Sequence, residues 1–290
     1  MKIGLQINRF DWPGGTGQIA EHLRGIAVAA DEAGFDSEWV MDHFLQIHYL
    51  GPETDPMLEA YTTLGYLAGV TRRVMLGTMV TGVVYRSPAL LVKAVTALDV
   101  VSGGRAYFGI GAGWNEDEAV ALGLGRPLAG GRFEKLEETL MIAKQMWSGD
   151  SKPFAGKHYQ LERPVSSPQP VRQPHPPILI GGGGEQKTLR LVAQYGDACN
   201  FFGGPELEHK LDVLRRHCED VGRDFDEIEI TSLARVDVAE AAKDPGALLK
   251  QAEAMRKLGV AHLILRNGPD PSPAHFETLA RKVVPELHSF

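Results

Sequence analysis

The stretch PILIGGGGEQKTLRLVAQYGDACNFF, Pro177–Phe202, decides how the rest of the chain is read. Ile178, Leu179 and Ile180 form an unbroken apolar run, as expected of a strand covered on both faces. Gly181–Gly184 follow. Thr188, Leu189, Leu191, Val192 and Tyr195 then recur at helical spacing until Gly196, and Ala198–Phe202 is a second apolar run. The unit is strand, glycine turn, helix, strand. Glycines before a helix N-terminus leave backbone N–H groups bare, let a ligand approach closely and sit at the positive end of the helix dipole. That suits a phosphate. A plain tight turn is the alternative, although four glycines lose more chain entropy on folding than a turn requires.

The same alternation extends in both directions. Ile3–Ile7, Phe35–Met41, Val74–Val80 and Arg105–Ile110 read as strands, each followed by helical spacing over Ile19–Ala33, Pro56–Gly69, Pro88–Val101 and Arg132–Trp147. After the central stretch come a helix from Pro205, a strand over Glu227–Val236, a helix over Pro245–Leu258, a strand over His262–Leu265 and a helix over Pro273–His288. Ser148–Pro177 is different: it holds seven of the 18 prolines and reads as an irregular insertion with one short hairpin near Lys157–Leu161. Eight strand–helix units in one chain predict a (β/α)8 TIM barrel, α/β in class, with one insertion between the fourth helix and fifth strand. An open doubly wound sheet is the competing fold. Nothing resembling a linker divides residues 1–290, so one domain is expected, with 148–177 as the insertion.

Composition narrows the partners. The net charge of −7 disfavours nucleic acid and anionic membranes. No window approaches the ~18 apolar residues of a membrane span, and MKIGLQINRF is too short in its apolar run for a signal peptide. Cys199 and Cys218, the only cysteines, lack metal-ligand spacing, so no metal site is expected and the reducing cytoplasm is the expected compartment. A barrel places chemistry on the loops that follow strands: Asn8–Gly17, Asp42–Tyr49, Thr81–Ser87, Gly111–Glu116, Gly181–Glu185 and Gly203-Gly204. Two phosphate motifs fail there. The dinucleotide G-x-G-x-x-G meets Trp114 after one glycine cluster and Lys187 after the other, and a P-loop beginning at Gly181 meets Gln186 in place of its second glycine.

Three segments, LGTMVTGVVYRSPALL (Leu76–Leu91), LDVVSGGRAYFGIGAGWNE (Leu98–Glu116) and QPHPPILIGGGGEQKTLRLVAQYGDACNFF (Gln173–Phe202), resemble the luciferase-like flavin monooxygenase superfamily. Within it they are most similar to the branch that uses the deazaflavin coenzyme F420. The resemblance runs from Met1 to about Val236 and implies a TIM barrel with the coenzyme at its C-terminal mouth. Asp42 and His43 match the pair near the coenzyme ring, with His43 the catalytic candidate. A neutral imidazole can take or give the proton when an alcohol or carbonyl exchanges hydride with the ring. Met79, Val80 and Thr81 match the segment behind the ring, which in the family often contains a non-proline cis peptide. Gly111, Ala112, Gly113 and Asn115 match the loop on the coenzyme tail and ring edge, and Gly182, Gly183, Gly184 and Glu185 match the phosphate turn. Arg9, Arg86 and Lys187 are the basic candidates beside that phosphate. One departure is informative. Trp114 stands where sugar-phosphate dehydrogenases of the branch carry a catalytic glutamate, which counts against that substrate class; Trp114 shapes a more apolar pocket or belongs to the core.

The reading is therefore an oxidoreductase exchanging hydride between F420 and a small organic molecule. The alternatives are an FMN-dependent monooxygenase fed by a flavin or F420 reductase, and a non-catalytic binder of a phosphorylated ligand. The helices over Pro56–Gly69 and Pro88–Val101 carry few charges (Glu59, Lys93, Asp99), so they are expected to meet in a two-fold homodimer.

Overall fold

The structure is a computed structural model and describes residues 1–126 and 130–290. Strand β1, Lys2–Ile7, turns Ile3, Leu5 and Ile7 toward the surrounding helices and Gly4 and Gln6 toward the barrel axis. The chain continues through α1 (Ile19–Ala33), β2 (Ser37–Val40), α2 (Ala60–Val70), β3 (Met75–Thr78), β4 (Thr81–Gly82), α3 (Pro88–Ser102), β5 (Phe108–Gly111), α4 (Glu116–Ala121) and α5 (Arg132–Trp147). A two-residue hairpin, β6 (Phe154–Ala155) with β7 (Gln160–Leu161), precedes β8 (Ile178–Gly181), α6 (Thr188–Tyr195), β9 (Ala198–Phe202) and α7 (Leu207–Val221). Strand β10 (Glu229–Asp237), α8 (Val238–Lys243), α9 (Pro245–Lys257), β11 (His262–Arg266), α10 (Pro273–Lys282) and α11 (Val284–Ser289) complete it.

The main sheet runs β3-β2-β1-β11-β10-β9-β8-β5-β4, and every pairing in it is parallel. It closes where Leu76 of β3 bridges Ala106, just ahead of β5, through hydrogen bonds of 2.7 Å to Arg105 and from Tyr107. Strand β4 is the continuation of β3 past Met79-Val80, so nine segments make the eight staves of a TIM barrel. Outward side chains pack under the helices. Trp39, Tyr107, Leu179, Leu233 and Ile264 fill the inside. Burying each such residue contributes ~1.5–3 kcal/mol.

Four local expectations need correction. Helix α2 begins at Ala60 and not Pro56, because the Glu59 carboxylate caps the N–H groups of Tyr61 and Thr62. Helix α4 lies where only a loop is expected; at six residues it is too short to show a period, and Asn115 caps it. The last helix breaks at Val283, since Pro285 cannot donate to the preceding turn. The hairpin pairs Phe154 with Leu161, beginning earlier than expected. Its turn is held by Glu138, which accepts from the N–H groups of Lys157, His158 and Tyr159.

Candidate active site

A cleft of about 370 Å³ opens at the C-terminal ends of the strands, within the range of small-molecule sites. Among the described residues its wall contains His43, Arg132 and Arg266 and no carboxylate. His43 leaves β2 with its ring edge-on to Trp114 at 5.6 Å. Its Nδ1 lies 2.7 Å from Glu118, on α4. A carboxylate can only accept, so Nδ1 carries the proton and Nε2 is the nitrogen left for the cleft. Glu118 is buried, and burial would raise its carboxyl. The hydrogen bonds from His43, from Tyr85 at 2.5 Å and from the Leu45 N–H reverse that and hold it below the ordinary glutamate range. The Phe44 N–H adds a fourth bond at 2.6 Å. Burial and the neighbouring Glu118 push the Tyr85 phenol up, so it remains a donor.

The glycine positions follow from Val80. The Met79-Val80 peptide is cis, as the sequence resemblance implies. A side chain at Gly111 or Gly181 would meet the Val80 methyls at 2.9 and 2.8 Å, so the ends of β5 and β8 must be bare for Val80 to lie between them. Met79, Val80, Gly111, Ala112, Gly113, Gly182 and Gly184 all line the cleft. Gly182 has φ +115°, and a turn at Glu185–Lys187 separates the glycines from α6. Arg132, at the start of α5, donates to the Gly113 carbonyl at 2.5 Å. The two glycine turns and this arginine share one side of the cleft.

Five expected residues do not line it. Asp42 is buried in a bidentate pair with Arg86, 2.6 and 2.9 Å; burial raises its carboxyl while the guanidinium opposes the rise. Thr81 bonds the Tyr61 hydroxyl and Thr78 beneath the surface. Asn115 is the cap of α4. Gly183 points to open surroundings, with only the Lys210 chain 3.9 Å from where a side chain would begin. Glu185 is held on α7 by Lys210 at 2.6 Å. The basic candidates also change. Arg9 is taken by Asp11 and Arg86 by Asp42, while Lys187 sits over Phe133 outside the cleft. Arg132 and Arg266 take their place on the wall. Glu118 had one sequence signal, an Asn three residues ahead of it in an N-cap pattern. Nothing in that pattern names His43 as its partner.

Residues 1–279 match the luciferase-like monooxygenase family, and the chain belongs to it. A relative from Kineococcus radiotolerans, an F420-dependent glucose-6-phosphate dehydrogenase, is 34% identical over 214 residues, 72% of this chain and 61% of that one. The chain thus spans less than two thirds of the length of this relative, as it does of others like it, at 65% and 55%. The coenzyme F420 dependent tetrahydromethanopterin reductase of Methanopyrus kandleri superposes with a TM-score of 0.79 at 16% identity, covering 99% of each chain. The oxygenating constituent of 3,6-diketocamphane monooxygenase from Pseudomonas putida, solved with FMN, gives 0.77 at 17% identity over 98% of each. These two likenesses concern the fold. No helix among the described residues is long and apolar enough to cross a membrane.

Proposed function

We propose that the chain is an F420-dependent oxidoreductase exchanging hydride with an alcohol or carbonyl substrate. The observation that carries the reading is His43. Its Nδ1 is fixed on a buried carboxylate, and its ring faces a cleft floored by Val80. The cleft fits a deazaflavin. Two glycine turns present bare backbone, the hydroxyl-bearing Thr188 opens α6 on the same wall, and Arg132 supplies positive charge with no carboxylate opposing it. Gly182, Gly184, Thr188 and Arg132 would hold the phosphate; Met79, Val80 and Gly111–Gly113 would hold the ring. When bound, the coenzyme supplies a carbon centre that accepts or gives up hydride.

His43 has one task in this scheme. With Nδ1–H committed to Glu118, Nε2 takes the hydroxyl proton as an alcohol is oxidised and returns it in the reverse direction. Asp42 and Arg86 act at a distance, tying the β2 loop to the segment before α3. The FMN monooxygenase reading shares the fold and is the outcome to test against. The discriminating experiment titrates the purified protein with F420 and FMN side by side, then exposes the bound reduced forms to air. Tight F420 binding with an air-stable reduced form is expected. Tight FMN binding, no F420 binding and O₂ uptake coupled to substrate oxidation would replace the reading. The chain is also proposed to pair through α2 and α3, where Tyr66, Leu90 and Val101 are exposed. A monomer by sedimentation at micromolar concentration would remove that part.

A further inference from the structure

The cleft has two unlike halves. One carries the glycine turns, Thr188 and Arg132. The other lies over β1, β2 and β11, beside His43, and has a different chemistry. Trp114 and Tyr49 stand at its rim, 48% and 61% exposed, stacked at 6.4 Å between ring centroids with planes 26° apart. Large rings left in water at the mouth of a cavity mark a surface that a ligand covers. Two polar groups beneath them lack partners among the described residues: Oδ1 of Asn8, whose residue is 2% exposed, and Nε of Arg266. Asn8 follows the end of β1 and Arg266 ends the neighbouring β11, where Gln6 of β1 registers with Arg266. Of the two other amides on the cleft wall, Gln6 donates to the Met79 carbonyl and Asn200 accepts from Thr231. A buried polar group left unpaired is destabilising, and here both border the cleft, where a ligand can pair them.

We infer that this half binds a flat, largely apolar alcohol or ketone bearing one polar acceptor group, and not a phosphorylated sugar. The inference rests on the proposed hydride chemistry for its reacting end and on Trp114, Tyr49, Asn8 and Arg266 for its body. The apolar plane covers Trp114 and Tyr49. A polar group on the body of the molecule, away from the reacting oxygen, accepts from Arg266 and, if a phenolic hydroxyl, donates to Asn8. On oxidation the C–H hydride leaves to the deazaflavin, the O–H proton passes to Nε2 of His43, and the C–O bond becomes a carbonyl. A sugar phosphate suits this half poorly. Its several hydroxyls would find few uncommitted partners, and its dianion would face one unpaired guanidinium.

Calorimetric titration with 6-acetyl-2-naphthol, a naphthyl ketone with one further polar group, tests the inference without coenzyme, and again with F420 bound. Saturable binding is expected in both cases. Trp114→Ala and Tyr49→Ala should each weaken it about tenfold while leaving F420 affinity within twofold. Both side chains are exposed, so circular dichroism should be unchanged. With reduced F420 bound the ketone should be reduced, and with oxidised F420 bound glucose 6-phosphate should be neither bound nor oxidised. F420 binding without binding of the naphthyl ketone, or preferred oxidation of glucose 6-phosphate, overturns the substrate class and leaves the coenzyme reading standing. Naphthyl ketone binding sensitive to Trp114 with no F420 binding supports the apolar half and removes the coenzyme reading.

Discussion

Two histidine–carboxylate pairs sit at opposite ends of one barrel. At the N-terminal end His262 lies 2.8 Å from Glu229 through Nδ1 and 2.9 Å from the Ser37 hydroxyl through Nε2. Lys2 and Tyr107 bond the same Glu229, and the Trp39 indole donates to Ser37 at 2.7 Å. Gly4 is bare because a side chain there would begin 2.4 Å from the Ser37 hydroxyl. At the C-terminal end His43 holds Glu118 through Nδ1 at 2.7 Å and turns the rest of its ring to the cleft. The side chains are 1% and 12% exposed. The chemistry of the two pairs is alike, but the floor has used both imidazole nitrogens and the mouth has used one. A polar group enclosed by protein is stabilised by completing its bonds, whereas a group kept for reaction must leave one open.

The largest expected effect would break this comparison if it fell on the wrong pair. His43→Ala should lower turnover by ~10²–10⁴ with coenzyme affinity within a few-fold. His262→Ala should leave turnover per folded molecule nearly unchanged and lower the melting temperature. Kinetics with the naphthyl ketone, together with thermal melts, separate the two outcomes.

Next comes Glu229→Gln. Its interactions with His262 and Lys2 outweigh burial and hold the Glu229 carboxyl down at about 2. A depressed carboxylate stabilises the fold fully above its unfolded value, and that contribution is lost as pH falls through the folded one. The variant should therefore lose about 3 kcal/mol near neutrality. The gap between the two proteins' melting temperatures should close as pH drops from the ordinary glutamate range toward 2. A gap independent of pH would mean that the network is not held by the charge.

Glu118→Gln sharpens the comparison at the other end. Glu118 accepts from His43 and Tyr85 on one oxygen and from the Phe44 and Leu45 N–H groups on the other; an amide has only one oxygen, so one set loses its acceptor and the imidazole loses its fixed tautomer. Turnover should fall by roughly one to two orders of magnitude, with KM for the ketone little changed. Because Glu118 is depressed in the folded protein, the wild type should keep its activity into the acid side of the ordinary carboxylate range. A variant with wild-type turnover would make Glu118 a loop anchor only.

The smallest effect concerns the glycine turn. Gly182→Val meets a φ of +115° and the cleft wall, and should weaken F420 about tenfold. Gly183→Val faces open surroundings and should weaken it less than threefold. Equal losses would place the phosphate against Gly183 instead.

Much of this molecule could be read from the chain itself. Apolar runs such as Ile178–Ile180 and the helices between them fix the order of strand and helix, and parallel strands joined by helices close into few architectures. The exit loops, His43 at the end of β2 and the glycines beside Val80 follow from that order, because a barrel gathers strand ends on one face. Which side chains meet across that face was not local information. Glu118 reaches His43 over 75 residues, and Arg86 reaches Asp42 over 44. Arg86 and Lys187 read as equal candidates for a phosphate in sequence; only packing showed one bound to a buried carboxylate and the other outside the cleft. The sequence by itself determined the barrel and the loops that carry the site, since periodicity is a property of neighbours along the chain. The tertiary structure alone decided which donors and acceptors were satisfied and which stayed open to a ligand. Satisfaction depends on distance in space, and the exposed rim of Trp114 and Tyr49 and the unpaired Asn8 and Arg266 exist only once β1, β2, α4 and β11 are brought together.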